Sequence, residues 1–204
     1  MNIVKLISDK LSFSITKTGT SSLLVSGGTS LLNTFEELSK IDICWSKVQV
    51  TIIDDRLVDS KNINSNQKLI KDKLLINNAK KANFYPLTED LIKKNIFKLP
   101  FDITLMGMGE DGHFASLFPE MINDYKSLNA KADYKIFKTK RLGNPAIPRI
   151  TMNLSLILNS RIIILLVKGK IKQEILSKAI YDDSYPIHYL LNNRNDNFFV
   201  KKID

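Results

Sequence analysis

Cysteines and long apolar runs are scarce in this chain of 204 residues. Its one cysteine, Cys44, has no partner for an internal disulfide. No apolar run is long enough to cross a bilayer. The start, MNIVKLISDKLSF, lacks the apolar core and small-residue cleavage site of a signal peptide. These absences predict a protein of the reducing cytoplasm with no membrane partner.

Linkers, repeats and histidines are also few. No Pro/Gly/Ser-rich stretch divides the chain and no internal repeat is visible, so we expect a single domain over residues 1–204. The two histidines, His113 and His188, are far apart in sequence, and no pair of residues has the spacing of metal ligands. We therefore expect neither a metal nor another cofactor.

The formal net charge of +9 allows either a nucleic-acid-binding face or attraction for a small anionic substrate. The lysines are scattered, and the densest basic stretch, KIFKTKR at 135–141, has few aromatic residues to stack on bases. We therefore expect no nucleic-acid partner. A nucleic-acid-binding domain would instead show an affinity that falls steeply with salt.

Apolar runs alternate with segments of helical spacing along the chain. Strands are predicted at 21–28, 47–54, 101–109, 161–169 and 197–203, the fourth in the middle of a sheet and the last at its edge. Helices are predicted at 30–40, 65–76 (with Ser65 as N-cap), 150–160 and 170–180. This alternation predicts an α/β fold, a mostly parallel, Rossmann-like sheet with helices on both faces. Ligands of such sheets bind beyond the carboxyl ends of the strands.

The stretch LMGMGEDGHFASLFPE, residues 105–120, follows one of these strands and allows two interpretations. Its glycines fit G-x-G-x-x-G, but Glu110 and Asp111 would repel a pyrophosphate, and no acidic residue about twenty positions on is placed to hold a ribose. Alternatively, the glycines bend the backbone so that Asp111 and His113 project into a cleft. Histidine suits proton transfer at neutral pH, so we favour a catalytic loop.

The same stretch resembles the G-x-G-x-D-G-H-T-A-S-L-F-P signature of the 6-phosphogluconolactonases. Three further stretches resemble that family in its order: LLVSGGTS, IIDDRLVDSKNINSN, and PRITMNLSLILNSRIIILLVKGKIK. The resemblance runs from about residue 20 to the C-terminus and implies a shortened N-terminus for the domain. The chain departs from the family pattern at four positions: Leu31 for Pro, Asp55 for Glu, Phe114 for Thr and Glu120 for Gly.

The resemblance implies hydrolysis of 6-phospho-D-glucono-1,5-lactone to 6-phospho-D-gluconate in the oxidative pentose phosphate pathway, with a small phosphosugar lactone as the partner. We expect His113 to be the general base that activates water, oriented by Asp111 or by Asp54, with Arg56 stabilising the oxyanion. The phosphate would be held by the glycine turn, Arg149 and Lys172. The turn contributes Ser26, Gly27, Gly28, Thr29 and Ser30.

Two other functions stay open at this stage. Glucosamine-6-phosphate deaminases share the glycine turn and the D-G-H element, but they read closer to I-A-F-N-E-P after the histidine, where this chain has FASLFP. They also have Tyr rather than Arg in the D-D-R segment. A non-catalytic sugar-phosphate sensor would keep the phosphate site and could lose the base, whereas His113 is present.

Overall fold

The computed structural model describes residues 2–194 and 196–204. The helices are α1 Ile3–Thr18, α2 Leu32–Ser39, α3 Asn66–Lys73, α4 Tyr125–Leu128, α5 Leu154–Leu158, α6 Lys170–Lys178 and α7 Pro186–Asn192. The strands are β1 Ser21–Val25, β2 Val48–Ile52, β3 Asp54–Arg56, β4 Asn83–Phe84, β5 Phe101–Met106, β6 Ile136–Lys138, β7 Arg149–Met152, β8 Ser160–Lys168 and β9 Phe198–Ile203. In the described part of the chain, no helix is both long and apolar enough to cross a membrane.

A six-stranded sheet in the order β4-β2-β1-β5-β8-β9 forms the centre of the protein, and every neighbouring pair in it is parallel. In β8, six consecutive residues, Ile162–Val167, are buried. Successive side chains of a strand point to opposite faces, so both faces of this sheet are covered. The predicted α/β fold is confirmed, as are the interior position of β8 and the edge position of β9.

A second, three-stranded sheet in the order β3-β7-β6 is antiparallel and was not predicted. It corrects two sequence predictions. The run 47–54 is not one strand, because it leaves the large sheet after Ile52 and enters the small sheet at Asp54. The segment 150–160 is not one helix, because Ile150–Met152 belong to strand β7, which pairs with β3 and β6, and only Leu154–Leu158 are helical.

The carboxyl ends of β1, β2 and β5 lie side by side. Val25 is in register with Ile52 on one side and with Leu105 on the other. The chain continues from these ends into the 26–30 turn, the Asp54–Arg56 strand and the 107–113 loop, so motifs that are far apart in sequence meet at one edge of the sheet.

Candidate active site

A cleft of about 290 Å³ lies at this edge of the sheet. It is lined by every residue predicted for the site except Asp111, and also by Asn66, Gly107, Met108, Gly109, Phe114 and Ala115. A larger cavity of about 570 Å³ lies at the opposite end of the strands, around Lys10, Asp102 and Arg161, and contains none of the predicted residues. The composition of the smaller cleft, rather than volume, identifies it as the candidate site.

Asp111 lies outside the lining but is paired with the histidine. Its Oδ1 is 2.5 Å from His113 Nδ1 and accepts a hydrogen bond from the backbone N–H of His113 at 3.1 Å. Burial opposes ionisation of Asp111, but the hydrogen bonds and charge of His113 outweigh it, so the pKa of the carboxyl is lowered. With Nδ1 occupied, Nε2 is the ring nitrogen left to exchange a proton with a ligand.

Close packing explains the glycine at position 109. A Cβ there would lie 2.2 Å from His113 Nδ1 and 2.6 Å from Asp111 Oδ1, so only glycine lets the pair sit against the backbone. The Gly109 N–H also donates to the His113 carbonyl at 2.8 Å, which closes the loop. Of the three loop glycines, only Gly112 has a positive φ, 77°. The predicted sharp bend is therefore local, and close approach accounts for Gly109.

Phe118 separates the histidine from an arginine and was not selected from the sequence. The His113 and Phe118 rings are 4.7 Å apart between centroids, and the Arg149 guanidinium carbon is 5.0 Å from the Phe118 centroid. Phe118 is fully buried. The Phe118 ring therefore packs against both the imidazole and the guanidinium and lies between them.

Arg56 and Arg149 are cross-strand partners in the antiparallel pair β3 and β7. Like charges placed opposite each other destabilise a sheet. Burial, and then the charge of Arg56, lower the pKa of the Arg149 guanidinium, while Asp54 acts in the opposite direction. In the described residues, the Nε atoms of both arginines are buried without a hydrogen-bond partner. A bound anion would offset the repulsion, and a shift of the two side chains toward it would give these buried donors acceptors.

Asp54 does not contact the imidazole. Its Oδ2 accepts a hydrogen bond from Ser116 Oγ at 2.6 Å, and its Oδ1 lies 3.3 Å from Asn66 Nδ2. All three residues are buried. Of the two carboxylates predicted to orient His113, the structure pairs Asp111 with the ring and uses Asp54 in this neighbouring network.

Asp55 ties β3 to the start of α3. Its carboxylate accepts from the backbone N–H groups of Arg56, Asn66 and Gln67 at 2.6–3.1 Å and from Ser65 Oγ at 3.1 Å. Burial raises the pKa of this carboxyl against the opposing effect of these backbone donors.

Ser65 caps α3 as predicted, because its side chain accepts a hydrogen bond from the Lys68 N–H. Together these contacts place Asn66, which the sequence analysis did not select, against Asp54 and Arg56.

The turn after β1 lines the same cleft. Ser26 Oγ donates to the Gly27 carbonyl and accepts from Gly107 N–H at 3.1 Å, so this hydroxyl joins two loops. Thr29–Leu31 form a short 3-10 helix that leads into α2, and neither helix has a side-chain cap at its start. Lys172 lies in the first turn of α6, as predicted. The turn, Arg149 and Lys172 all line the one cleft.

Residues 1–199 match the family model described as glucosamine-6-phosphate isomerases/6-phosphogluconolactonase. A 6-phosphogluconolactonase of Mesorhizobium japonicum is 35% identical over 185 residues, which cover 85% of this chain and 77% of that protein. One of Helicobacter pylori is 32% identical over 189 residues, 85% of this chain and 79% of that protein. The crystal structure of a 6-phosphogluconolactonase from Shewanella baltica superposes with a TM-score of 0.85 at 31% identity, over 98% of this chain and 91% of that one.

Proposed function

We propose that this chain, which belongs to the family of glucosamine-6-phosphate isomerases and 6-phosphogluconolactonases, hydrolyses 6-phospho-D-glucono-1,5-lactone to 6-phospho-D-gluconate. This makes it a lactone hydrolase of the pentose phosphate pathway. The observation that carries the proposal is the cleft itself. It combines the Asp111–His113 pair with a glycine turn and with Arg56 and Arg149, whose Nε atoms have no acceptor in the described residues.

His113 acts as the general base in this reaction. Nε2 removes a proton from a water molecule as its oxygen attacks the lactone carbonyl carbon, and Asp111 stabilises the imidazolium that forms. The resulting oxyanion is stabilised by the positive charge of Arg56. When the tetrahedral intermediate collapses, the bond to the ring oxygen breaks, and His113 returns its proton to that oxygen. The product is the open-chain carboxylic acid, which ionises at neutral pH.

The phosphate of the substrate is held by the glycine turn together with Lys172 and Arg149. The Ser26–Ser30 turn offers backbone N–H groups, and Lys172 and Arg149 offer positive charge to a dianion. Lys172 in the first turn of α6 is unfavourable for the helix dipole, and a bound phosphate would offset that cost. Asp54 opposes the lowering of the Arg149 pKa and so helps to keep this guanidinium protonated.

Lactone hydrolysis is favoured over the two alternatives. The relatives at 35% and 32% identity are 6-phosphogluconolactonases, not deaminases. The Asp111–His113 pair is in place for proton transfer, which a sugar-phosphate sensor would not need. A cytoplasmic location stays a prediction from the sequence.

The direct test is His113→Ala, assayed promptly on fresh 6-phosphoglucono-δ-lactone with detection of the free acid and subtraction of the spontaneous rate. Loss of a general base predicts a fall in kcat of roughly 10²–10⁴-fold. The matched control is His188→Ala. His188 contacts the Ala179 carbonyl and lies outside the cleft, so activity should be retained. A His113→Ala enzyme within a few-fold of wild type would refute the assignment.

A further inference from the structure

Asn66 lies between a cation and an anion of the cleft. Its Oδ1 accepts a hydrogen bond from Arg56 Nη1 at 2.6 Å. Its Nδ2 donates to the Asp54 carbonyl oxygen at 2.9 Å and lies 3.3 Å from Asp54 Oδ1. Asn66 is 3% exposed, so these contacts are shielded from solvent. One neutral amide thus offers its oxygen as acceptor to Arg56 and its nitrogen as donor to Asp54.

We propose that Asn66 is a positioning residue that keeps Arg56 from pairing with Asp54, so that the guanidinium stays available to the substrate. This inference rests on the proposed lactonase function and adds a residue to it. Asn66 acts through Arg56 and takes no part in bond making itself.

Electrostatics explains why a spacer is needed. Opposite charges attract far more strongly in a buried, water-poor cleft than in water, so a guanidinium and a carboxylate that share it tend to form a direct bidentate pair. Such a pair would use the donors of Arg56 and cancel the charge needed at the oxyanion. Yet among the described residues, no carboxylate oxygen lies within 4.0 Å of an Arg56 side-chain nitrogen. The amide of Asn66 occupies the intervening position.

The remaining contacts of Arg56 agree with this role. Nη1 is held by Asn66 Oδ1 and more weakly by the Asn64 carbonyl at 3.4 Å, whereas Nε has no partner in residues 2–194 and 196–204. The guanidinium is therefore fixed from one side and left unsatisfied on another. That arrangement is expected for a group that waits for a ligand acceptor.

The glycine turn holds Asn66 in place from the opposite side. A Cβ at Gly27 would fall 2.0 Å from Asn66 Oδ1 and 2.4 Å from its Cγ. The amide therefore packs directly on the backbone of the turn assigned to the phosphate. This contact leaves the amide little room to rotate away from Arg56, and it gives Gly27 a role separate from phosphate binding.

The test is a double-mutant cycle on the full chain, with Asn66→Ala and Asn66→Asp each made in the wild-type and Arg56→Ala backgrounds. We expect each single substitution at Asn66 to lower kcat for the lactone by about tenfold or more, less than the ~10²–10³-fold of a lost direct oxyanion donor, with a smaller change in KM. In the Arg56→Ala background the same substitutions should cost almost nothing, because the group that they position is gone. If Asn66 had only a structural role, each substitution at Asn66 would lower kcat by the same factor in both backgrounds.

Asn78→Ala is the control, since Asn78 is exposed and donates only to the Lys40 carbonyl; it should match wild type. Asn66→Asp has nearly the size of the native residue, so it carries the test if Asn66→Ala does not fold, as judged by circular dichroism. Asn66 variants within about twofold of wild type, or losses that add fully to that of Arg56→Ala, would overturn the inference. An inactive wild-type enzyme would instead overturn the proposed function.

Discussion

Replacing Gly109 by alanine tests whether the Asp111–His113 geometry matters for the reaction. The new Cβ would lie 2.2 Å from His113 Nδ1 and 2.3 Å from Cε1, against an ordinary contact of about 3.5 Å. The imidazole must therefore move by roughly 1 Å, or rotate away from Asp111. A displacement of that size at a catalytic group can cost about 10²-fold. We expect kcat/KM to fall by about that factor, ~2.7 kcal/mol in transition-state stabilisation.

The assay is the timed lactone hydrolysis with the spontaneous rate subtracted, together with thermal unfolding. Gly109 does not have a positive φ, so alanine fits its backbone and the melting temperature should change little. Gly107→Ala is the matched control in the same loop. Its Cβ would meet nothing closer than the Leu166 carbonyl at 3.7 Å, so kcat should stay within a few-fold of wild type. A fully active Gly109→Ala enzyme, or equal losses in both variants, would refute the reasoning.

Two further predictions concern the carboxylates of the site. The pKa of Asp111 is lowered from its ordinary 3.8, so its ionised form stabilises the fold fully above that value and less as pH falls through the lower folded-state pKa. In urea unfolding, the stability difference between wild type and Asp111→Asn should therefore be larger at pH 5 than at pH 3; a difference that does not shrink would contradict the pairing. Ser116→Ala removes the buried 2.6 Å hydrogen bond to Asp54 and should destabilise the protein by about 2 kcal/mol in the same measurement at pH 7. A loss below ~0.5 kcal/mol would show that another donor replaces it.

The large sheet was predictable because its strands carry long apolar runs. Ile162–Val167 and Ile103–Met106 are buried without interruption, and such runs indicate strands covered on both faces. The parallel order then brings the segments after β1, β2 and β5 to one edge, so the sequence could assign the motifs to one cleft. The helix α1 was missed, although its buried Ile3, Ile7 and Leu11 recur with helical spacing.

The small sheet was not predictable from local pattern. Val48–Ile53 reads VQVTII, an uninterrupted stretch rich in β-branched residues, and nothing in it marks the point after Ile52 where the chain changes sheets. Arg149–Met152 is only four residues long and is followed after one residue by the helix Leu154–Leu158, so its short polar–apolar alternation, RITM, does not by itself separate a strand from the helix. Its register with β3 is a tertiary property, set by strands 95 or so positions apart.

That register decides the chemistry of the cleft. From the sequence, Arg56 and Arg149 are two among 30 basic residues, and a solvated surface position is the ordinary expectation for each. Pairing β3 with β7 sets them directly opposite each other, with buried Nε atoms that lack acceptors in the described structure. A fold gains nothing from this arrangement in the absence of a ligand, since it buries like charges and unmet donors. An anionic ligand reverses both costs. The residues that destabilise the empty cleft are thus the ones expected to bind the substrate most strongly, and Asn66 keeps one of them from being neutralised by Asp54 beforehand.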